Sequence, residues 1–222
     1  MGAAMEPSFD SRYRKNLVQV PEIIREASGI RIFGQLLKSF LFSTDVALIR
    51  NTNANAIIAV YPFTAQPAIS HALISAADKP ILCGVGGGVT GGRRVVELAL
   101  HAEFQGAIGV VLNKPVPDRV VAQVKRKVDI PVVVTVVSAD EDFPARIRAG
   151  VDILNVSGAE NTPAIIRKIR RFDPDIAIIG TGGKTEQTIR ETLEAGANAI
   201  SYTPPSTAEL FKEVMQRYRA GG

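Results

Sequence analysis

The 222-residue sequence predicts an α/β chain closed into one (βα)8 TIM barrel, on three observations: eight apolar, β-branched runs, near-equal spacing, and a helix-compatible segment in every gap. The runs begin near Ile30 (IRIFGQ), Ala56 (AIIAVYP), Pro80 (PILCGVG), Ala107 (AIGVVLN), Ile130 (IPVVVTVV), Val151 (VDILNVSG), Asp175 (DIAIIGTG) and Ala197 (ANAISYTP), with starts 21 to 27 residues apart. Continuous apolarity rather than clean alternation marks strands buried on both faces. A doubly wound open sheet is the alternative, but it needs one long return crossover and no gap stands out. A barrel uses short, equal, right-handed crossovers and leaves no exposed edge.

Taken in order, residues 1–12 are small and polar and read as a frayed end. Residues 13–28 contain VPEIIREAS, an extra helix suited to plugging the bottom of the barrel, which then spans about 29–219. Between Leu36 and Asn55 the pattern suggests an irregular loop plus a short helix. Ser138 with Glu141, and Ser206 with Glu209, have capping-box spacing. Asn161 or Thr162 before Pro163 supplies a cap and a first-turn proline. Gly150 and Gly196 stand where a left-handed residue stops a helix. Ile165, Ile166 and Ile169, then Ile189 and Leu193, recur at helical spacing and would cover the outside of the sheet. No stretch rich in Pro, Gly or Ser divides the chain.

The 26 basic and 22 acidic residues leave a net charge of +4, compatible with anionic ligands but no argument for nucleic acid. Basic runs such as Lys125–Lys127 and Arg167–Arg171 read as solvated helix faces, and stacking aromatics are few. Cys83 is the one cysteine, so no disulfide framework exists. No apolar stretch reaches membrane-helix length, and the sequence points to the cytoplasm.

In a barrel the ligand meets the loops that follow the strands. The seventh such loop reads Gly180, Thr181, Gly182, Gly183, Lys184, Thr185. Its glycines let backbone N–H groups approach an anion, the next helix adds its positive end, and Lys184 adds a charge. The bland alternative is a helix-entry turn with Lys184 in solvent; the spacing is not that of a Walker A motif. The eighth loop offers Thr203, Ser206 and Thr207. After strand three come Gly84, Gly86, Gly87, Gly88, Gly91 and Gly92, then Arg93, which read as either a mobile lid with Arg93 reaching a second anion or a merely floppy connection.

The segment from Asp175 to Lys212 resembles the carboxyl-terminal quarter of the ribulose-phosphate-binding barrel superfamily, which includes sugar-phosphate epimerases, thiazole synthases and the glycerol-phosphate-responsive antiterminator. The resemblance implies a phosphate held by Gly182 and Gly183 at the first turn and by Thr203 to Thr207 at the second. Thr203 and two prolines replace the usual Gly and small residue there, leaving fewer N–H donors.

For chemistry, Lys114 ends strand four; if Val110 and Leu112 point into the barrel, so does Lys114, as a base or Schiff-base former. A salt bridge before Pro115 is the alternative. Asp140 and Asn155 complete the catalytic candidates, with Gln35, Lys38, Tyr61, Thr135 and Ser157 as further rim residues. No carboxylate pair suggests a glycosidase, and His71 and His101 fall inside helices. No cofactor is indicated, and magnesium would have to rest on Asp140 or substrate phosphate. The expected ligand is a small phosphorylated molecule, turned over by a lyase, aldolase or isomerase, or else sensed without turnover by a regulator that touches RNA. Self-association is common for such barrels and leaves no readable trace in this sequence.

Overall fold

The computed structural model describes residues 18–220. Eight parallel strands close into a barrel: β3 (Ser39–Phe42), β4 (Ala56–Ala59), β5 (Ile81–Gly86), β6 (Gly109–Leu112), β7 (Val132–Val136), β8 (Ile153–Val156), β9 (Ala177–Thr181) and β10 (Ala199–Tyr202). A helix follows each in turn: α1 (Val46–Arg50), α2 (Pro67–Ala76), α3 (Arg93–Phe104), α4 (Asp118–Lys125), α5 (Phe143–Arg148), α6 (Thr162–Phe172), α7 (Glu186–Glu194) and α8 (Thr207–Arg219).

The (βα)8 expectation holds, with one displaced strand. The run at Ile30 is not a barrel strand; it forms a short antiparallel hairpin of β1 (Ile30–Ile32) and β2 (Gln35–Leu37). Phe33 (φ 46) and Gly34 (φ 82) make its two-residue turn in the left-handed region that hairpin twist demands. The first barrel strand is the next segment, SFLF, inside the stretch read as irregular. Its helix α1 is as short as expected and is capped by Asp45, which accepts from the N–H groups of Ala47 and Leu48.

Strand parity divides the core into two layers. Phe40, Ile58, Leu82, Val111, Val133 and Ile179 point inward, while Leu41, Ile57, Cys83, Val110, Leu112 and Ile178 face the helices. Ile165, Ile166, Ile169 and Ile189 cover that outer layer as the helical spacing predicts. Ile30, Ile32 and Leu37 of the hairpin join the inner layer. The Gly29 N–H donates to the Asn198 carbonyl just before β10, which fixes the hairpin at the amino ends of the strands. The bottom plug is therefore the hairpin, and the described part of 13–28 forms no α-helix. Glu22–Glu26 forms only a 3-10 turn, which packs Ile23 and Ile24 into the outer layer. The expected frayed end and residues 13–17 lie outside the described residues.

The capping expectations divide. Ser206 and Glu209 form a reciprocal capping box, and Thr185 with Thr188 forms a second that lacks the usual acidic or amide partner and so leaves little trace in the sequence. Ser138 and Glu141 do not: the cap of α5 is Asp142, whose carboxylate accepts from the Ala145 N–H. Asn161 makes no side-chain cap. Gly150 (φ 99) and Gly196 (φ 108) adopt the left-handed stops expected of them.

Candidate functional site

The loops after β9 and β10 enclose a cavity of about 540 Å³, lined by Thr181, Gly183, Lys184, Ser201, Thr203 and Glu209 among others. It lies between the two loops where a phosphate cradle is expected. Among the described residues no acceptor engages the N–H groups of Gly183 or Lys184. Gly182 serves packing instead, since its N–H donates to the Ser201 carbonyl, and a Cβ there would lie 2.8 Å from Ile200 and 2.9 Å from Ile189. This glycine lets the loop sit on α7, and Gly183 is the member that reaches the cavity.

At the amino end of α8 the predicted hydroxyls are already engaged. Ser206 Oγ accepts from the Glu209 N–H, while the Ser206 hydroxyl and N–H both donate to the Glu209 carboxylate. The Thr207 hydroxyl donates to Asp45. These Ser206 bonds, with the charge of Lys184 adding, hold the Glu209 carboxyl below the usual carboxylate range. The helix end that would attract an anion thus already carries one, and Lys184 stands near it.

The catalytic candidates are not brought together. Val110 and Leu112 face the helices, so the condition that would have aimed Lys114 inward is not met. Lys114 instead pairs with Glu141 at 3.3 Å, the salt-bridge alternative. The Glu141 side chain is only 5% exposed, lies 3.9 Å from Arg146, and accepts from the Val137 N–H. Asp140 is exposed, with its N–H on Ser138 Oγ. Gln35 and Lys38 belong to the amino end of the barrel, where Lys38 Nζ donates to the Arg25 carbonyl. Parity along the chain offers no means of separating the two ends of the misplaced first strand.

Asn155 does point inward, and it joins a chain spanning three strands. Its amide nitrogen donates to Thr135 Oγ1 (3.3 Å), and Thr135 donates to Asn113 Oδ1 (2.9 Å). Asn155 Oδ1 is buried without a partner among the described residues. Asn113 is absent from the sequence candidates because its charged neighbour Lys114, one residue out of register, has the more reactive side chain. The alternation Gly109, Val111, Asn113 is the signal that marks it as inward-facing.

The glycine loop after β5 is folded back as a tight turn. Gly87 and Thr90 exchange backbone hydrogen bonds, and the Asn113 N–H donates to the Gly86 carbonyl. Gly87 (φ 92) has no alternative, since a Cβ would fall 1.9 Å from the Asn113 carbonyl oxygen. Gly88 and Val89 remain exposed, and Arg93 pairs with Glu97 at 2.8 Å on the outside of α3.

The donor set at the mouth is amide and hydroxyl. Among the described residues, no group of three or more His, Cys, Asp or Glu side chains is placed to hold a metal ion.

No family model and no curated protein matches the sequence. Solved structures do. A phosphoenolpyruvate phosphomutase from Streptomyces platensis subsp. rosaceus matches with a TM-score of 0.63 at 13% identity, covering 82% of this chain and 80% of its own. A phosphonopyruvate hydrolase solved with oxalate and Mg²⁺ matches with a TM-score of 0.61 at 14% identity, covering 83% of each chain. The dihydrodipicolinate synthase DapA-2 of Bacillus anthracis gives 0.58 at 15% identity, covering 82% of this chain and 76% of its own. At these identities the likeness is one of fold, and the chain is a (βα)8 barrel with its candidate site at the carboxyl ends of the strands.

Proposed function

We propose that the protein binds a small phosphorylated metabolite in the cavity between the β9 and β10 loops, and acts on it as a lyase, aldolase or isomerase. The observation that carries the reading is the cavity itself, a space of about 540 Å³ lined by Gly183 and Lys184, whose N–H groups no acceptor engages among the described residues, and by Ser201 and Thr203. Two fold neighbours named for work on phosphonate or phosphoenol compounds agree with it. Lys114 with Glu141, on the loops after β6 and β7 across the mouth from that cavity, is the acid/base candidate.

Thermal stabilisation by matched sugars and their phosphate esters tests binding, because a ligand of the native state raises the melting temperature by mass action. Two charge changes give opposite signs. Lys184→Gln should weaken the ester by about 1 kcal/mol, roughly fivefold in Kd, whereas Glu209→Gln removes the competing charge, keeps the cap, and should tighten it by a similar factor. Equal effects of both, or no stabilisation by any ester, would sink the reading. Turnover lost in Lys114→Ala with binding retained would assign the chemistry to that rim. The alternative, a sensor without turnover, draws on the uncharged amides and hydroxyls inside the mouth, and binding without turnover of any bound ester supports it.

A further inference from the structure

We propose that the protein has a second subsite at the barrel mouth, a cleft that accepts the carbonyl oxygen of its ligand, so that the metabolite is a phosphorylated aldehyde or ketone. The inference rests on the proposed phosphate cavity for the other end of the molecule only. The cleft lies above β4, β5 and β6 and is lined by Tyr61, Thr90 and Asn113 with Gly84, Gly86 and Gly87. Its volume of about 20 Å³ admits one water-sized atom and little more.

The hydrogen-bond inventory assigns its character. Asn113 Oδ1 accepts from Thr135, Tyr61 Oη accepts from the Gln66 N–H at 2.9 Å, and Thr90 Oγ1 accepts from the Ala65 N–H at 3.4 Å. Each side chain has an accepting role filled. Among the described residues, the Asn113 amide nitrogen and the Tyr61 and Thr90 hydroxyls make no hydrogen bond as donors. The Asn113 NH2 can only donate and the two hydroxyls can donate beside it, so the space suits an acceptor. No charged side chain lines the cleft, so a carboxylate would lose its hydration without a counter-charge, and an uncharged carbonyl fits better.

The orientation is built in from below. Asn155 donates to Thr135, which donates to Asn113, so the carbonyl of Asn113 is held down and its NH2 is turned to the mouth. Successive donation polarises each bond in the chain. From the side, Gly87 brings the β5 turn against the Asn113 backbone at a distance that no other residue permits. Asn113 is thus a binding residue, and Thr135 and Asn155 position it.

Dihydroxyacetone phosphate and glycerol 3-phosphate make a matched pair, identical but for a ketone against a hydroxyl. Wild type should bind the ketone about fivefold more tightly, the worth of one net hydrogen bond. Asn113→Asp, which still accepts from Thr135 but has no hydrogen to give and adds a charge, should weaken the ketone more than the alcohol and bring the ratio to one or below. Tyr61→Phe should lower the ratio as well and serves if Asn113→Asp does not fold. A wild-type ratio of one, or a ratio that survives in the folded variants, overturns the proposal. If neither ester binds, the phosphate reading fails, and unphosphorylated dihydroxyacetone against glycerol decides the cleft alone: a ketone preference lost in Asn113→Asp upholds it, and no preference overturns it.

Discussion

Cys83 sits on the outer face of β5, 1% exposed among aliphatic side chains, and burial pushes its thiol up to about 12. The thiolate is the reactive form, so the native protein should resist a disulfide reagent at pH 8 and react fully once denaturant is added. The sign for stability follows: below the unfolded value near 9 both states are protonated, and above it the unfolded chain gains by ionising, so stability falls as pH rises from about 9 towards 12. Asp45 has the opposite sign. The Thr207 hydroxyl and then the α1 N–H groups, acting against partial burial, hold its carboxyl below the ordinary value, so its contribution is present above pH 4 and fades as pH falls through the lowered value. Asp45→Ala should cost about 1 kcal/mol, the usual worth of a cap, measured by urea unfolding. The bond of Asp45 to Thr207 was not legible in the sequence, because that partner lies 162 residues away. The candidate glycines were legible as positions. Their division of labour was not, since only packing distinguishes Gly182, which accommodates α7, from Gly183, which faces the cavity.

At the scale of elements, seven barrel strands were readable because both of their faces are buried, giving apolar runs that no helix face imitates at that length. The eighth was lost to a competitor. IRIFGQ carries the stronger strand signal, and it is a strand, but one that pairs only with its own hairpin partner. SFLF is four residues long, without β-branching, and bounded by Lys38 and Ser43. The same kind of local ambiguity turned Ser138 and Glu141 into an apparent cap, when the Glu141 carboxylate is drawn into the Lys114 and Arg146 network instead. The turn after β5 provides a test at this scale. Gly87→Ala places a methyl on the Asn113 carbonyl and strains a positive φ, so it should destabilise the protein by roughly 1–3 kcal/mol. Gly88→Ala, with a positive φ but open space, should cost less.

For the molecule as a whole, the basic runs that raised the question of RNA are partly consumed by architecture. Lys125 binds Asp152 with two contacts of 2.7 Å. Arg170 donates to the carbonyls of Gly196 and Ile176 and to Asn198, and burial lowers its pKa. Those side chains tie one βα unit to the next, a use that composition cannot distinguish from a solvated face. The hairpin plug is the other whole-molecule device, and Leu37→Ala should destabilise by about 2–5 kcal/mol, read as a lowered melting temperature. Because Phe40, Ile58, Leu82, Val111, Val133 and Ile179 fill the interior and Ile30, Ile32 and Leu37 cover its amino end, the barrel is open to a ligand at its mouth and closed below. Whatever occupies its mouth must leave by the way it came. On the proposed function, a lingering product would therefore compete with substrate, and the rate of emptying would cap turnover however fast the bond-making step became.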